Sequence, residues 1–223
     1  MGCMYEWETA SAPFRAGLTS CTDHLSVDEL IEVVRSRGGE AELNDLLRHA
    51  VNRLVRPQHW IVEREVSDPT HRLSRVDLAM SETGSGMRFA WVEAKYRIAT
   101  DAIENPGFFI DEPQNAIAKD VAKLRSAQTI TPTFLLTWVV HLTHSAFRVR
   151  YGAGHDVTDD GWRTRLGLAE CREACATLLG ALGPTERVEV KSGTGTHGSI
   201  TLDAWWTWVI PAMAGEGLPA SAP

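Results

Sequence analysis

Glu93 and Lys95 stand two residues apart near the end of an apolar stretch, RFAWVEAKY, at 88–96. Because successive side chains of a strand point to opposite faces, a strand here places both charges on one face and Val92 and Ala94 on the other. Burying a charge is costly unless it is paired, hydrated or bound to a metal. The pair therefore indicates either a strand end that opens to water or a functional site.

A third charged residue, Asp77, lies near the end of the preceding strand-like run at 72–80, and the loop SETGSG joins that run to the next. If the two strands pair, Asp77, Glu93 and Lys95 converge at one end of the sheet. Mg²⁺ takes oxygen ligands, usually one or two carboxylates with water in the remaining positions. It lowers the pKa of a water and neutralises a phosphate, while a neighbouring lysine orients or deprotonates that water. These residue types favour phosphodiester hydrolysis over acyl or glycosyl transfer.

Two predicted helices precede these strands. The stretch SVDELIEVVRSRGG has a capping box of Ser26 and Glu29 at its start and the pair Gly38-Gly39 at its end. The next stretch, EAELNDLLRHAVNRLV, is closed by Pro57. Its apolar stripe at helical spacing consists of Leu43, Leu46, Leu47, Ala50, Val51 and Leu54.

The strands and the helix that follow complete a compact order of elements. Runs at 59–66, 72–80 and 87–96 predict an antiparallel meander. A helix is expected over 113–127, with Pro113 in its first turn and the stripe Ile117, Val121 and Leu124. The uninterrupted apolar run at 133–142 predicts a buried strand. The order is therefore helix, three strands, helix, strand.

The remainder of the chain predicts an extension of the same α/β domain. A helix is expected over 164–182 and a hairpin over 187–210. We expect an irregular N-terminal segment over 1–25, a single domain over 26–210 with its core at 38–142, and a flexible tail over 211–223.

The residues Asp77 and Glu93-Ala94-Lys95, separated by fifteen positions, resemble the motif of the PD-(D/E)XK nuclease superfamily, as does the element order. The resemblance implies a restriction-endonuclease-like αβββαβ core, in which a central mixed sheet is flanked by helices. It also implies a Mg²⁺-dependent nuclease acting on DNA, with Mn²⁺ able to substitute. Asp77, Glu93 and the Ala94 carbonyl would hold the metal, and Lys95 would be catalytic. Val76 departs from the pattern, because it stands where many members have proline.

Many members of this superfamily add a glutamate from the helix before the sheet. Glu40 and Glu42 are the two candidates. Glu40 shares the helical face of Leu43 and Leu47, whereas Glu42 falls about 100° from the centre of the stripe, so we prefer Glu40. The helix after the motif strand often contributes polar contacts, for which Gln114 and Asp120 are weak candidates.

Composition excludes several classes of protein. The net charge of −7 does not suit a protein that coats nucleic acid, although residues 48–97 hold nine Lys or Arg against six Asp or Glu. The four cysteines do not form a disulfide scaffold. No apolar run is long enough to span a membrane and the N-terminus lacks the pattern of a signal peptide, so we expect a cytoplasmic protein with no membrane partner.

Other interpretations stay open at this level. Asp77 can be a loop cap, with Glu93 and Lys95 an exposed ion pair. The two N-terminal helices can form a helix-turn-helix regulator that places Arg48, Arg53 and Arg56 on phosphates, or the fold can serve as a structural subunit without catalysis. A second triplet, Glu189-Val190-Lys191, indicates an exposed hairpin strand. The sequence does not distinguish DNA from RNA, duplex from single-stranded or branched substrates, or a homodimer from an accessory protein of a defence or repair system.

Overall fold

The computed structural model describes residues 2–36, 39–68, 73–111, 116–126, 132–142, 167–195 and 201–209. Its helices are α1 (Gly2–Ser20), α2 (Val27–Arg35), α3 (Gly39–Val55), α4 (Asp101–Glu104), α5 (Pro106–Asp111), α6 (Ile117–Ser126) and α7 (Leu168–Gly180), and a 3₁₀ turn covers Arg56–Gln58. Its strands are β1 (Trp60–Asp68), β2 (Leu73–Glu82), β3 (Arg88–Ile98), β4 (Thr133–Leu142), β5 (Thr185–Thr194) and β6 (Thr201–Val209).

The strands form one mixed sheet in the order β1-β2-β3-β4-β6-β5. β3 and β4 are parallel, and every other neighbouring pair is antiparallel. Two parallel neighbours need a crossover connection, and α4, α5 and α6 lie in the chain between them. The protein is therefore a mixed α/β structure with a six-stranded sheet, and both the antiparallel meander and the C-terminal hairpin are confirmed.

Helices cover both faces of this sheet. On one face, α1, α2 and α3 pack over a core that includes Phe14, Leu47, Val92 and Trp138. On the other face, α6 and α7 pack over a second core that includes Leu135 and other residues of β4 and β6. β3 and β4 are consequently buried on both sides, and a charged side chain on β3 must find its partners inside the protein.

The N-terminal segment corrects the prediction of irregular structure over 1–25, because α1 spans Gly2–Ser20. Its buried residues Ala10, Phe14 and Leu18 recur every four positions and pack in the same core as α3. Pro13 lies inside this helix, although proline removes a backbone donor and is usually excluded from helix interiors. That proline concealed an otherwise regular apolar stripe.

The junction between α2 and α3 corrects a second detail. The capping box of Ser26 and Glu29 is present as predicted. Gly39, however, begins α3 rather than ending α2. A Cβ at Gly39 would lie 2.6 Å from the carbonyl oxygen of Val33, so glycine is required here by the close approach of the two helices. Leu54 is also an exception to the predicted stripe of α3, since 42% of it is exposed.

The described residues cover only part of the remaining predictions. α6 begins at Ile117, and the predicted first turn at 113–115 lies outside the described residues, as do the tail at 211–223 and residues 164–166 of the C-terminal helix. Cys21, Cys171 and Cys175 are free and buried. Among the described helices, none is long and apolar enough to cross a membrane.

Candidate active site

The site begins where β2 and β3 stop pairing. Their register runs from Ser81 opposite Arg88 to Leu78 opposite Val92. Beyond that point the backbone N–H of Ala94 donates to the Asp77 carboxylate at 2.8 Å. A carboxylate side chain thus replaces a backbone carbonyl as the acceptor, which satisfies the strand while bringing a negative charge to its edge.

Glu40 does the same at the next available position along β3. Its Oε2 atom accepts a hydrogen bond of 3.0 Å from the backbone N–H of Tyr96. Glu42 instead accepts from the Ser36 hydroxyl at 3.2 Å. Glu40 is therefore the helix carboxylate that reaches the sheet, in agreement with the helical-wheel argument, and any catalytic role for it stays a prediction.

Lys95 lies on the face of β3 that α6 covers, and its side chain is 9% exposed. Its Nζ atom is 2.9 Å from Asp120 Oδ2 and 3.9 Å from Asp77 Oδ2, and it donates to the Ala94 carbonyl at 3.2 Å. Burial lowers the pKa of Lys95, but the carboxylates of Asp77, Asp120 and Glu40 outweigh burial and raise that pKa overall. The amine is consequently a charged ammonium at neutral pH.

Glu93 is the most deeply buried acid of the site, with 4% of its side chain exposed. It forms an ion pair with the Lys123 ammonium. Burial, followed by the charge of Asp77, raises the pKa of Glu93 to about 8, against the lowering effect of Lys123. The carboxylate is therefore held in an environment that disfavours its negative charge.

Helix α6 supplies both residues that complete the cluster, Asp120 and Lys123. The helix packs on the sheet through Ile117, Val121 and Leu124, and side chains three apart lie on one helical face. The sequence signalled Asp120 only weakly and missed Lys123, while Gln114 lies outside the described residues. The sequence clue to both residues is their position, because Asp120 directly precedes Val121 and Lys123 directly precedes Leu124 in the apolar stripe of α6.

The charge balance of this cluster suits a divalent cation. Asp77, Glu93, Asp120 and Glu40 are set against two ammonium groups, those of Lys95 and Lys123. With every group ionised, the formal excess is two negative charges. Such an excess in a largely buried site is stabilised by a bound cation.

The donor types in this cluster are those that Mg²⁺ prefers. No three acidic, histidine or cysteine side chains of the described residues are grouped so that they can hold one ion together. Mg²⁺ nevertheless keeps several waters and commonly uses only one or two carboxylates. Asp77 and Glu93, with the Ala94 carbonyl, are hard oxygen donors of this kind. The residues present therefore fit the ion.

The remaining sequence candidates lie elsewhere or are structural. Glu189 of the second Glu-x-Lys triplet pairs with Arg172 and Arg187 near the surface, and Lys191 donates to the Leu25 carbonyl. Trp205 and Trp206 of β6 are buried, one in each of the two cores, and serve packing.

The arginines proposed for phosphate contacts in a helix-turn-helix lie on or just after α3. Arg48 bonds to Asp45 at 3.2 Å, whereas Arg53 and Arg56 are exposed. α3 buries Leu47 and Val51 against the sheet, so its inner face is not free to enter a groove.

Comparisons of the chain with protein-family models, with curated proteins and with solved structures find no match.

Proposed function

We propose that this protein is a Mg²⁺-dependent nuclease that hydrolyses phosphodiester bonds of DNA. The observation that carries the proposal is the convergence of Asp77, Glu93 and Lys95 at one end of the β2–β3 pair. A buried acid, a second acid and a charged lysine form one connected cluster there. Neither a loop cap nor an exposed ion pair accounts for acids and lysines buried to this degree.

The order of elements supports the same proposal. α3, the meander β1–β3, the crossover through α6 and the parallel strand β4 follow the order αβββαβ. That order is the one expected of a restriction-endonuclease-like core. We therefore propose this fold family for the domain, with α7 and the β5–β6 hairpin as its extension and with the cytoplasm as its place of action.

In this proposal Asp77, Glu93 and the Ala94 carbonyl hold the divalent ion. When bound, the ion supplies charge neutralisation for the phosphate and lowers the pKa of a water. Asp77 accepts a hydrogen bond from the backbone N–H of Ala94, and Glu40 accepts one from the backbone N–H of Tyr96. These two bonds hold in place the edge of β3 on which the Ala94 carbonyl lies. A fixed edge keeps the ligands in register with the substrate.

Lys95 acts in this proposal as a charged donor. Its raised pKa means that the ammonium keeps its protons at neutral pH, so it orients a water and stabilises negative charge on the phosphate rather than accepting a proton. Asp120 holds the ammonium at 2.9 Å and determines where it points. We therefore assign to Asp120 the role of a positioning residue.

The proposal is tested by incubating the wild-type protein with supercoiled plasmid, linear duplex and single-stranded DNA, and with RNA, in Mg²⁺, Mn²⁺ or EDTA. The expected result is cleavage of DNA with either ion and none in EDTA. The isosteric variant Glu93→Gln should lose cleavage while keeping its fold. Absence of cleavage of every nucleic acid by folded protein in both ions would instead favour a binding or assembly subunit.

A further inference from the structure

Lys123 forms an ion pair with Glu93, the carboxylate that the proposed metal would need as a ligand. Its ammonium pairs with Glu93 Oε1 and also donates to the backbone carbonyl of Arg75. Lys95, the motif lysine, is engaged instead with Asp120 and the Ala94 carbonyl. The positive charge that pairs with Glu93 in this structure therefore comes from α6 and not from the motif itself.

This arrangement has a physical reason. A buried carboxylate without a partner is strongly destabilising, so a metal site with a deeply buried acid needs a substitute cation while the ion is absent. A lysine suits that role, because it is a point charge on a flexible four-carbon stem. The Lys123 side chain is 24% exposed, against 4% for Glu93, and it lies in the last turn of α6. It has a path into solvent that Glu93 lacks.

We propose that Lys123 is a displaceable internal counter-ion, which pairs with the Glu93 carboxylate when that group is ionised and leaves it when a divalent cation binds. This inference rests on the proposed function, because it concerns the same metal site. A divalent ion carries twice the charge of the ammonium and takes the same carboxylate oxygens, so the two cations compete for Glu93. Binding of the ion frees Lys123 at the mouth of the site, beside the exposed Arg75.

The test measures the chemical reactivity of Lys123 in the wild-type protein. The protein in EDTA and the protein saturated with Mn²⁺ are treated briefly with an acetylating reagent at a pH above the Glu93 pKa of about 8, and each lysine is quantified by peptide mass spectrometry. Release from Glu93 should raise the acetylation rate of Lys123 severalfold, since the released amine is no longer held against a buried carboxylate and is open to the reagent. Lys119, which is exposed on the same helix, is the internal reference and should not change.

The variant Glu93→Gln provides the matched control. It removes the carboxylate charge without changing the size of the side chain, so Lys123 should already be reactive in the absence of metal, and Mn²⁺ should add nothing. A crystal structure with Mn²⁺, in which anomalous scattering locates the ion, gives a second readout. There the Lys123 ammonium should be beyond hydrogen-bond distance of Glu93.

The outcomes separate the two proposals. If Mn²⁺ binds through Asp77 and Glu93 while Lys123 stays paired and unreactive, the counter-ion inference is wrong and the metal site stands. If calorimetry detects no binding of Mn²⁺ to the folded protein, both proposals are overturned. If Lys123 is as reactive in the metal-free wild type as in Glu93→Gln, the ion pair does not hold it in solution and the inference also fails.

Discussion

The carboxylate of Asp77 accepts a 2.8 Å hydrogen bond from the backbone N–H of Ala94, at the point where β2 ceases to pair with β3. This one contact does two things. It supplies the acceptor that the strand would otherwise lack, and it places a carboxylate beside the Ala94 carbonyl and the Lys95 ammonium. Backbone satisfaction and site assembly are therefore coupled at Asp77, and substitutions can separate them.

Asp77→Asn should keep the fold and weaken the metal site. Asparagine retains a side-chain oxygen that accepts from Ala94, so the free energy of unfolding should change by less than about 1 kcal/mol. Loss of the charge should weaken Mn²⁺ binding at least roughly tenfold, as measured by calorimetry. Asp77→Ala, which also removes the acceptor, should cost about 1–3 kcal/mol in urea unfolding. Wild-type Mn²⁺ affinity in Asp77→Asn would exclude Asp77 as a ligand.

Asp120→Asn should reduce the cleavage rate by roughly tenfold to a hundredfold, because the Lys95 ammonium loses the carboxylate that positions it. Substrate binding should change much less, since Asp120 does not contact the phosphate in our account. Steady-state kinetics on a short duplex separate kcat from KM. A rise in KM at constant kcat would show that Asp120 acts in binding and not through Lys95.

The stability of the metal-free protein should depend on pH through Glu93. Its pKa is raised from 4.5 to about 8 in the folded state, so the folded protein binds more protons than the unfolded chain between these values. Stability from this group is therefore greatest at low pH and is lost as the pH rises from about 4.5 to about 8.

Glu93→Gln should remove this dependence. In EDTA, the variant should gain roughly 2–4 kcal/mol in the free energy of unfolding relative to wild type between pH 5 and pH 9, measured by urea denaturation. Saturating Mg²⁺ should restore the wild type at high pH and leave the variant unaffected. An equal pH dependence in both proteins would show that Glu93 ionises normally.

The packing of α1 on α3 is tested at Gly17. A Cβ at this position would lie 2.5 Å from Val51 Cγ2, and Val51 is fully buried. Gly17→Ala should therefore destabilise the protein by about 1–3 kcal/mol despite the higher helix propensity of alanine. At Gly107, in α5, the nearest atom to a Cβ is 3.9 Å away, so Gly107→Ala should be neutral or slightly stabilising. Equal thermal midpoints for the two variants would contradict the packing.

Strand periodicity and turn residues were enough to predict the β1–β2–β3 meander at the centre of the chain. The alternation in RFAWVEAKY placed Glu93 and Lys95 on one face of β3, and both are buried there. The short loop between the two strand-like runs predicted that the strand carrying Asp77 pairs with the strand carrying Glu93 and Lys95, as β2 and β3 do. The helical wheel distinguished Glu40 from Glu42, because the buried stripe of α3 defines which side meets the sheet.

The residues from α6 were harder to predict, for a physical reason. An apolar stripe shows which face of a helix packs on the sheet. It does not show which strand the helix covers or at which position along that strand the helix lies. Lys123 reaches Glu93 only because the crossover lays α6 over β3 and β4. α1 was missed because proline normally argues against a helix interior, and here the tertiary packing of Phe14 and Leu18 prevails over that local preference.

The most direct test of the central claim is the Mg²⁺-dependent rate of DNA cleavage by wild type, Lys95→Met and Lys119→Met. Methionine preserves much of the lysine volume, and Lys119→Met removes the same charge from an exposed position on α6. We predict that Lys95→Met loses cleavage by roughly 10²–10³-fold while Lys119→Met retains it. Cleavage by Lys95→Met at the wild-type rate would contradict the account and place the active site elsewhere in the protein.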